Sequence, residues 1–193
     1  MPLTLRADNA SVGNIYAHLF ENARNGLSRN LYWSLTVPCL PIRWDEDDHE
    51  CSITCEWLVW PVRNWRQLDG MSLSATMNPK LPESSLYLSG HHPVSIEHLQ
   101  LTFAGAGARF KVSLAGTVSL EGFDELDGTN MKFSLESEVN FEGLIVVPGN
   151  LIPKPQNESD VLEALAPYAE LGAFAPPVLE RFRYVLAPAA GEA

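Results

Sequence analysis

Cationic side chains are scarce in this chain: 13 Lys and Arg stand against 24 Asp and Glu in 193 residues, a formal net charge of −11. Phosphate recognition depends on clustered Lys and Arg, so that balance argues against nucleic acid as a partner, and against an anionic membrane surface as well. Charged residues of both signs reach only 19%, below the usual quarter. Cysteine is sparse too. Three thiols cannot all pair, and a chain of this size needs no disulfide staples, so a reducing cytoplasm is the expected compartment. No apolar run approaches the length of a membrane span, and the start, Met-Pro-Leu-Thr-Leu-Arg, lacks the basic-then-apolar order of a secretory leader.

The common catalytic signatures are missing as well. There is no Gly-x-Ser-x-Gly elbow and no phosphate-binding Gly-Lys-Ser/Thr. Gly105-Ala106-Gly107 lacks the third glycine of a dinucleotide loop and joins two strand-like runs. The acidic run Asp45-Glu46-Asp47-Asp48-His49-Glu50 has neither the spacing nor the central glycine of a calcium loop. Five histidines without ligand spacing do not define a metal site. Cys51 and Cys55, four apart on a strand, lie roughly 13 Å apart by strand rise and cannot share a zinc ion. No catalytic residue, cofactor or metal is therefore assigned.

What is present is a strong period of two. Phe110, Val112, Leu114, Val118 and Leu120 alternate with polar neighbours, as do Met131, Phe133, Leu135, Val139, Phe141 and Ile145. That pattern demands a sheet with one buried and one wet face. Further strands are expected at 31–37, 51–59, 71–77, 84–89 and 95–104, joined by hairpin-sized links. Val12, Tyr16, Leu19, Ala23 and Leu27 fall three or four apart, so 9–27 reads as an amphipathic helix. Helices are expected again at 158–171, with Pro167 forcing a break, and after Pro176-Pro177. The expected fold is α+β: a single domain over 1–193 with an N-terminal helix (9–27), a β-meander (31–147) and a C-terminal helical segment (157–187). Its twisted antiparallel up-and-down sheet has about six to seven strands, with the helices packed on the apolar face.

Function follows less directly. The leading expectation is a non-enzymatic acidic protein that holds a more basic protein, in one version a bacterial toxin-neutralising immunity protein. Its contact residues would be Trp44, Asp45, Glu46, Asp47, Asp48 and Trp60, with Glu136 and Glu138 as a second patch, because aromatics anchor interfaces and charges steer them. One alternative is a carrier holding a small apolar ligand between curved sheet and helices, against Leu114, Phe133 and Phe141. Another is a metal-dependent hydrolase using His49 or His98. An open edge strand would also permit a homodimer.

Overall fold

The computed structural model describes residues 5–44, 46–74, 83–105, 107–120 and 130–189. Its strands are β1 (Gly13–Asn22), β2 (Leu27–Trp44), β3 (Asp47–Leu58), β4 (Ser72–Ser74), β5 (Glu83–Tyr87), β6 (His91–Phe103), β7 (Arg109–Ser119), β8 (Asn130–Val146), β9 (Val178–Glu180) and β10 (Arg183–Leu186). One α-helix, α1 (Glu158–Leu165), occurs among the described residues. Neighbouring strands run in the order β1-β2-β3-β5-β6-β7-β8, and β8 then pairs in parallel with β1. The sheet is thus a closed seven-stranded barrel, which overturns the expected α+β open sheet under helices.

The first error lies in residues 9–27. They form no helix: Gly13–Asn22 is a strand, followed by a single 3-10 turn at Ala23–Asn25. Gly13, Ile15, Ala17 and Leu19 face inward and are buried, while Asn14, Tyr16, His18 and Phe20 face outward. The outward row is itself largely aromatic, so the oily/polar alternation that marks a strand is blurred, and a chance helical spacing takes its place.

The second error lies at the other terminus. Asn157 caps α1 by accepting the Asp160 N–H at 3.0 Å, and the helix stops at Leu165, ahead of Pro167. Beyond Pro176-Pro177 the chain forms the β9–β10 hairpin, turning at Arg181 (φ +57°), not a helix. Tyr184 and Leu186 are buried there, while Val178 and Phe182 are exposed.

Closure explains how the sheet hides its apolar face. The inner rows of β7 and β8, from Phe110 to Leu120 and from Met131 to Phe141, bury against the inner rows of β1 to β3. Barrels of eight strands already leave an interior just wide enough for side chains to fill, and this one has seven. Where β3 and β8 end, the connection after β3 brings in Trp60, Val62, Trp65 and Leu68, all buried. The Trp65 indole N–H donates to the Ala173 carbonyl at 3.0 Å, which ties the C-terminal segment to that plug. Val161 and Leu165 of α1 complete the same core. The mean of these contacts is one continuous core, with helix used only as a lid.

β2 runs through both Pro38 and Pro41, and Pro41 falls at the register shift between the Cys39–Cys51 and Ile42–His49 pairs, where the ladder is already interrupted. Residues 5–8 lie along its far half: the Pro38 carbonyl accepts the Asp8 N–H at 3.1 Å, and the Leu40 N–H reaches the Arg6 carbonyl at 2.9 Å. β1 starts only at Gly13, where a side chain would meet the Thr36 carbonyl at 2.3 Å and Val139 at 2.9 Å. Glycine lets β1 wedge between β2 and β8 at that point.

Candidate functional site

The acidic run is not a free loop. Asp47, Asp48, His49 and Glu50 begin β3, and Glu46 takes φ +70° in a tight turn after β2. Arg43 donates to the Glu46 carbonyl at 3.1 Å and stands across from Asp48. Glu46, Asp47 and Asp48 are exposed at the hairpin tip. Asp45 and the side chain of Trp44 lie outside the described residues. Trp60 cannot be a surface anchor: it is 5% exposed and sits 5.9 Å, centroid to centroid, from Trp33 in the core.

Glu136 and Glu138 lie elsewhere, on the outer side of β8, with β1 separating that strand from β2 and β3. The structure therefore splits the two predicted patches. Glu136 stands opposite Ser113, and Glu138 opposite Lys111, on β7. One strand further, Gln100 and Thr102 of β6 oppose Ser113 and Lys111. These two polar rows border a groove of about 620 Å³, closed on its far side by Asn9, Ser11 and Val12. The Asp8 carboxylate accepts from Ala10 N–H at 3.0 Å and from the Ser11 hydroxyl at 2.6 Å, which folds 8–11 into a turn and holds that carboxyl below its usual range. Arg109 reaches Glu138 at 3.3 Å, whereas Glu136 forms no ion pair among the described residues. Ser137 also lines the groove. It is 8% exposed, and its hydroxyl has no hydrogen-bond partner among the described residues.

A second feature escaped sequence reasoning altogether. On the outer face of β1 to β3, His18 is ringed by Tyr16, Phe20, Tyr32 and Trp57 at centroid distances of 5.2 to 6.3 Å. Burial holds the His18 imidazole below its ordinary pKa, so the neutral ring is favoured. Trp57 is delivered to this cluster by a bulge: between the Trp33–Leu58 and Leu35–Cys55 pairs, β3 carries one extra residue. Trp57 there adopts φ +61°, a left-handed conformation rare for so bulky a residue. The signal for the cluster was present in the two-residue spacing of Tyr16, His18 and Phe20.

The cysteines are all free and buried on the inner face. Cys39 stands directly across from Cys51, a pairing that needs the β2–β3 register and is invisible in sequence spacing. The hydrogen bond that the Cys51 thiol donates to Cys39 pushes Cys51 up, with burial adding to it, and holds Cys39 below its ordinary value; burial pushes Cys55 up to about 11. Cys51 and Cys55 are thus held as protonated thiols at neutral pH. His49 meets the Ser89 hydroxyl at 2.9 Å, while His98 is exposed on β6, with β5 between their strands. The two histidines do not converge. Among the described residues, no three His, Cys, Asp or Glu side chains are placed to hold a metal ion.

Leu114, Phe133 and Phe141 all point into the barrel. Phe141 packs beside Trp33, Trp65 and Phe174, at 5.8 to 6.4 Å between ring centroids. The indole N–H groups of Trp33 and Trp60 are buried there without hydrogen-bond partners among the described residues. No helix among the described residues is long and apolar enough to cross a membrane. Comparison with family models, curated proteins and solved structures finds no match to this chain, so neither an immunity role nor a bacterial origin gains support from relatives.

Proposed function

We propose that the protein is a non-enzymatic binding protein that holds a more basic protein partner in the groove across β6, β7 and β8. The observation that carries this reading is the Glu136 carboxylate, which forms no ion pair among the described residues and lines, together with Glu138 and Ser137, a groove of about 620 Å³. A ligand cation against Glu136 extends the Lys111–Glu138 row without placing like charges side by side. The exposed Asp47 and Asp48 at the β2–β3 tip, with the net charge of −11, add a long-range field that draws a cationic partner. A reducing compartment such as the cytoplasm suits the three free thiols.

The test uses a blocked octapeptide of alternating threonine and lysine, titrated by fluorescence anisotropy at 50 and 300 mM NaCl. Glu136→Gln/Glu138→Gln should weaken binding at least tenfold, mainly through faster dissociation. Asp47→Asn/Asp48→Asn should slow association and leave dissociation unchanged. Unaltered affinity of the groove variant at low salt refutes the proposal.

A further inference from the structure

The barrel closes over only part of β8. β7 pairs with it from Asn130 to Asn140, but β1 joins its other edge only from Val139 onward, and β10 only at Leu144–Val146. Among the described residues, no strand pairs with that second edge between Asn130 and Ser137. The cause is visible at Gly13. Upstream of it the chain follows β2, through the Ala7–Cys39 bridge and the Asp8 and Leu40 bonds, and so leaves β8 behind. The open edge borders the groove, which Ser137, Glu136 and Glu138 share.

We infer that this edge is a strand-addition site, at which an extended, cationic segment of the partner pairs with β8 alongside Asn130–Ser137 and completes the barrel seam. The inference rests on the binding reading above and specifies its mode. The Phe141 N–H points to the β7 side, where it donates to the Ala108 carbonyl at 2.7 Å. By alternation the odd-numbered backbone groups of β8 serve β7, and those of 132, 134 and 136 face the open edge. An added strand would satisfy them by main-chain hydrogen bonds, the usual source of affinity in such complexes. Its side chains alternate in the same way. The residue across from Glu136 lies on the outer face, within direct reach of that carboxylate and diagonal reach of Glu138, so Lys or Arg fits there. The next residue faces Ser137, whose unpartnered hydroxyl selects Ser or Thr. At that end of the edge the recognised segment thus pairs a cation with Glu136 and a hydroxyl with Ser137, in the extended repeat of about 6.6 Å between residues on one face. Toward Asn130 the outer Lys132 and the inner Met131, Phe133 and Leu135 favour uncharged and apolar partners. A helical segment cannot keep this alternation along the edge.

The same threonine–lysine octapeptide distinguishes the mode from the charge. In any added strand only alternate amides face β8, so two analogues are made, one N-methylated at every lysine amide and one at every threonine amide. One analogue should bind at least tenfold more weakly than the parent and the other within twofold. Amide exchange of residues 130–137 should slow on adding the parent peptide. Ser137→Ala should erase the preference for threonine over valine at the middle position while leaving the fold intact. Equal binding of both analogues, with the salt and Glu136→Gln/Glu138→Gln effects retained, overturns strand addition and leaves the acidic groove standing. No binding of the parent at 1 mM overturns both. A stable dimer by light scattering that already protects residues 130–137 assigns the edge to a second copy and overturns the inference as well.

Discussion

Trp57 offers the sharpest test of whether the outer aromatic cluster is held under backbone strain. Its left-handed φ of +61° costs an L-residue about 1–2 kcal/mol that glycine does not incur. Its ring sits 5.1 to 5.5 Å from those of Phe20, His18 and Tyr32. Such aromatic pairs contribute about 0.5–1.5 kcal/mol each, so truncating the ring should cost about 2–4 kcal/mol whatever replaces it. The informative comparison is between two truncations. Alanine loses the ring and keeps the strain, whereas glycine loses both. Glycine's extra freedom in the unfolded chain offsets about 0.4–1 kcal/mol of that relief. Trp57→Gly should therefore be more stable than Trp57→Ala by about 0.5–1 kcal/mol, or about 1–4 °C in Tm for a domain of this length. At an ordinary strand position the order is reversed. Urea denaturation monitored by far-UV circular dichroism, with a shared m value, measures the difference. If the alanine variant equals or exceeds the glycine variant, the bulge stores no strain and the geometry at 57 is ordinary.

Three further outcomes follow from named groups. Gly143 has φ +134°, and an added Cβ would lie 2.4 Å from the Leu186 carbonyl, so Gly143→Ala should cost about 2–4 kcal/mol and loosen β10, read as faster amide exchange at Tyr184–Leu186. His18 has a pKa depressed by burial, so the unfolded chain takes up its proton first. Stability should be full above the free-histidine pKa of about 6.5 and fall as pH drops through it, levelling only below the folded pKa, and His18→Phe should flatten that segment of a urea-midpoint titration. Glu21 is held below its ordinary pKa by Arg29 at 2.8 Å and by the Ile152 N–H, so its contribution is present above about pH 4.3 and lost as pH falls through the lower folded value. Glu21→Gln should lower the urea midpoint at pH 7 and converge with wild type near pH 2.

The strands from His91 to Val146 were legible because their outer face is polar. Arg109, Lys111, Ser113 and Glu136 mark it off from Phe110, Val112, Leu114 and Leu135 in the sequence itself. β1 was not legible for the opposite reason. Its outer positions carry Tyr16, His18 and Phe20, whose apolar rings are covered by Tyr32 and Trp57 from neighbouring strands. A strand covered on both faces loses its period of two and can imitate a helix. The β9–β10 hairpin misled in a related way: Val178 and Phe182 are apolar but exposed, so hydrophobicity there does not report burial.

Closure was hidden for a further reason. Pairing between β1 and β8 joins residues more than a hundred positions apart and runs parallel, and no local turn announces such a contact. Hairpin logic sees only consecutive neighbours, and it yields an open sheet in need of helices. Once β1 closes on β8, the helices lose that task, and α1 is left as part of a plug. The same topology decides the candidate site. Charge alone singled out Glu136 and Glu138, but their setting depends on where β1 begins. A glycine is required at 13 because Thr36 and Val139 converge there, and the chain before it is bound to Pro38 and Leu40 of β2. The closing strand therefore cannot extend down the remaining edge of β8 without giving up those bonds. That local competition between β2 and β8 for residues 5–12 leaves a groove beside two carboxylates, and it is what turns an acidic stripe on a sheet into a site with a shape.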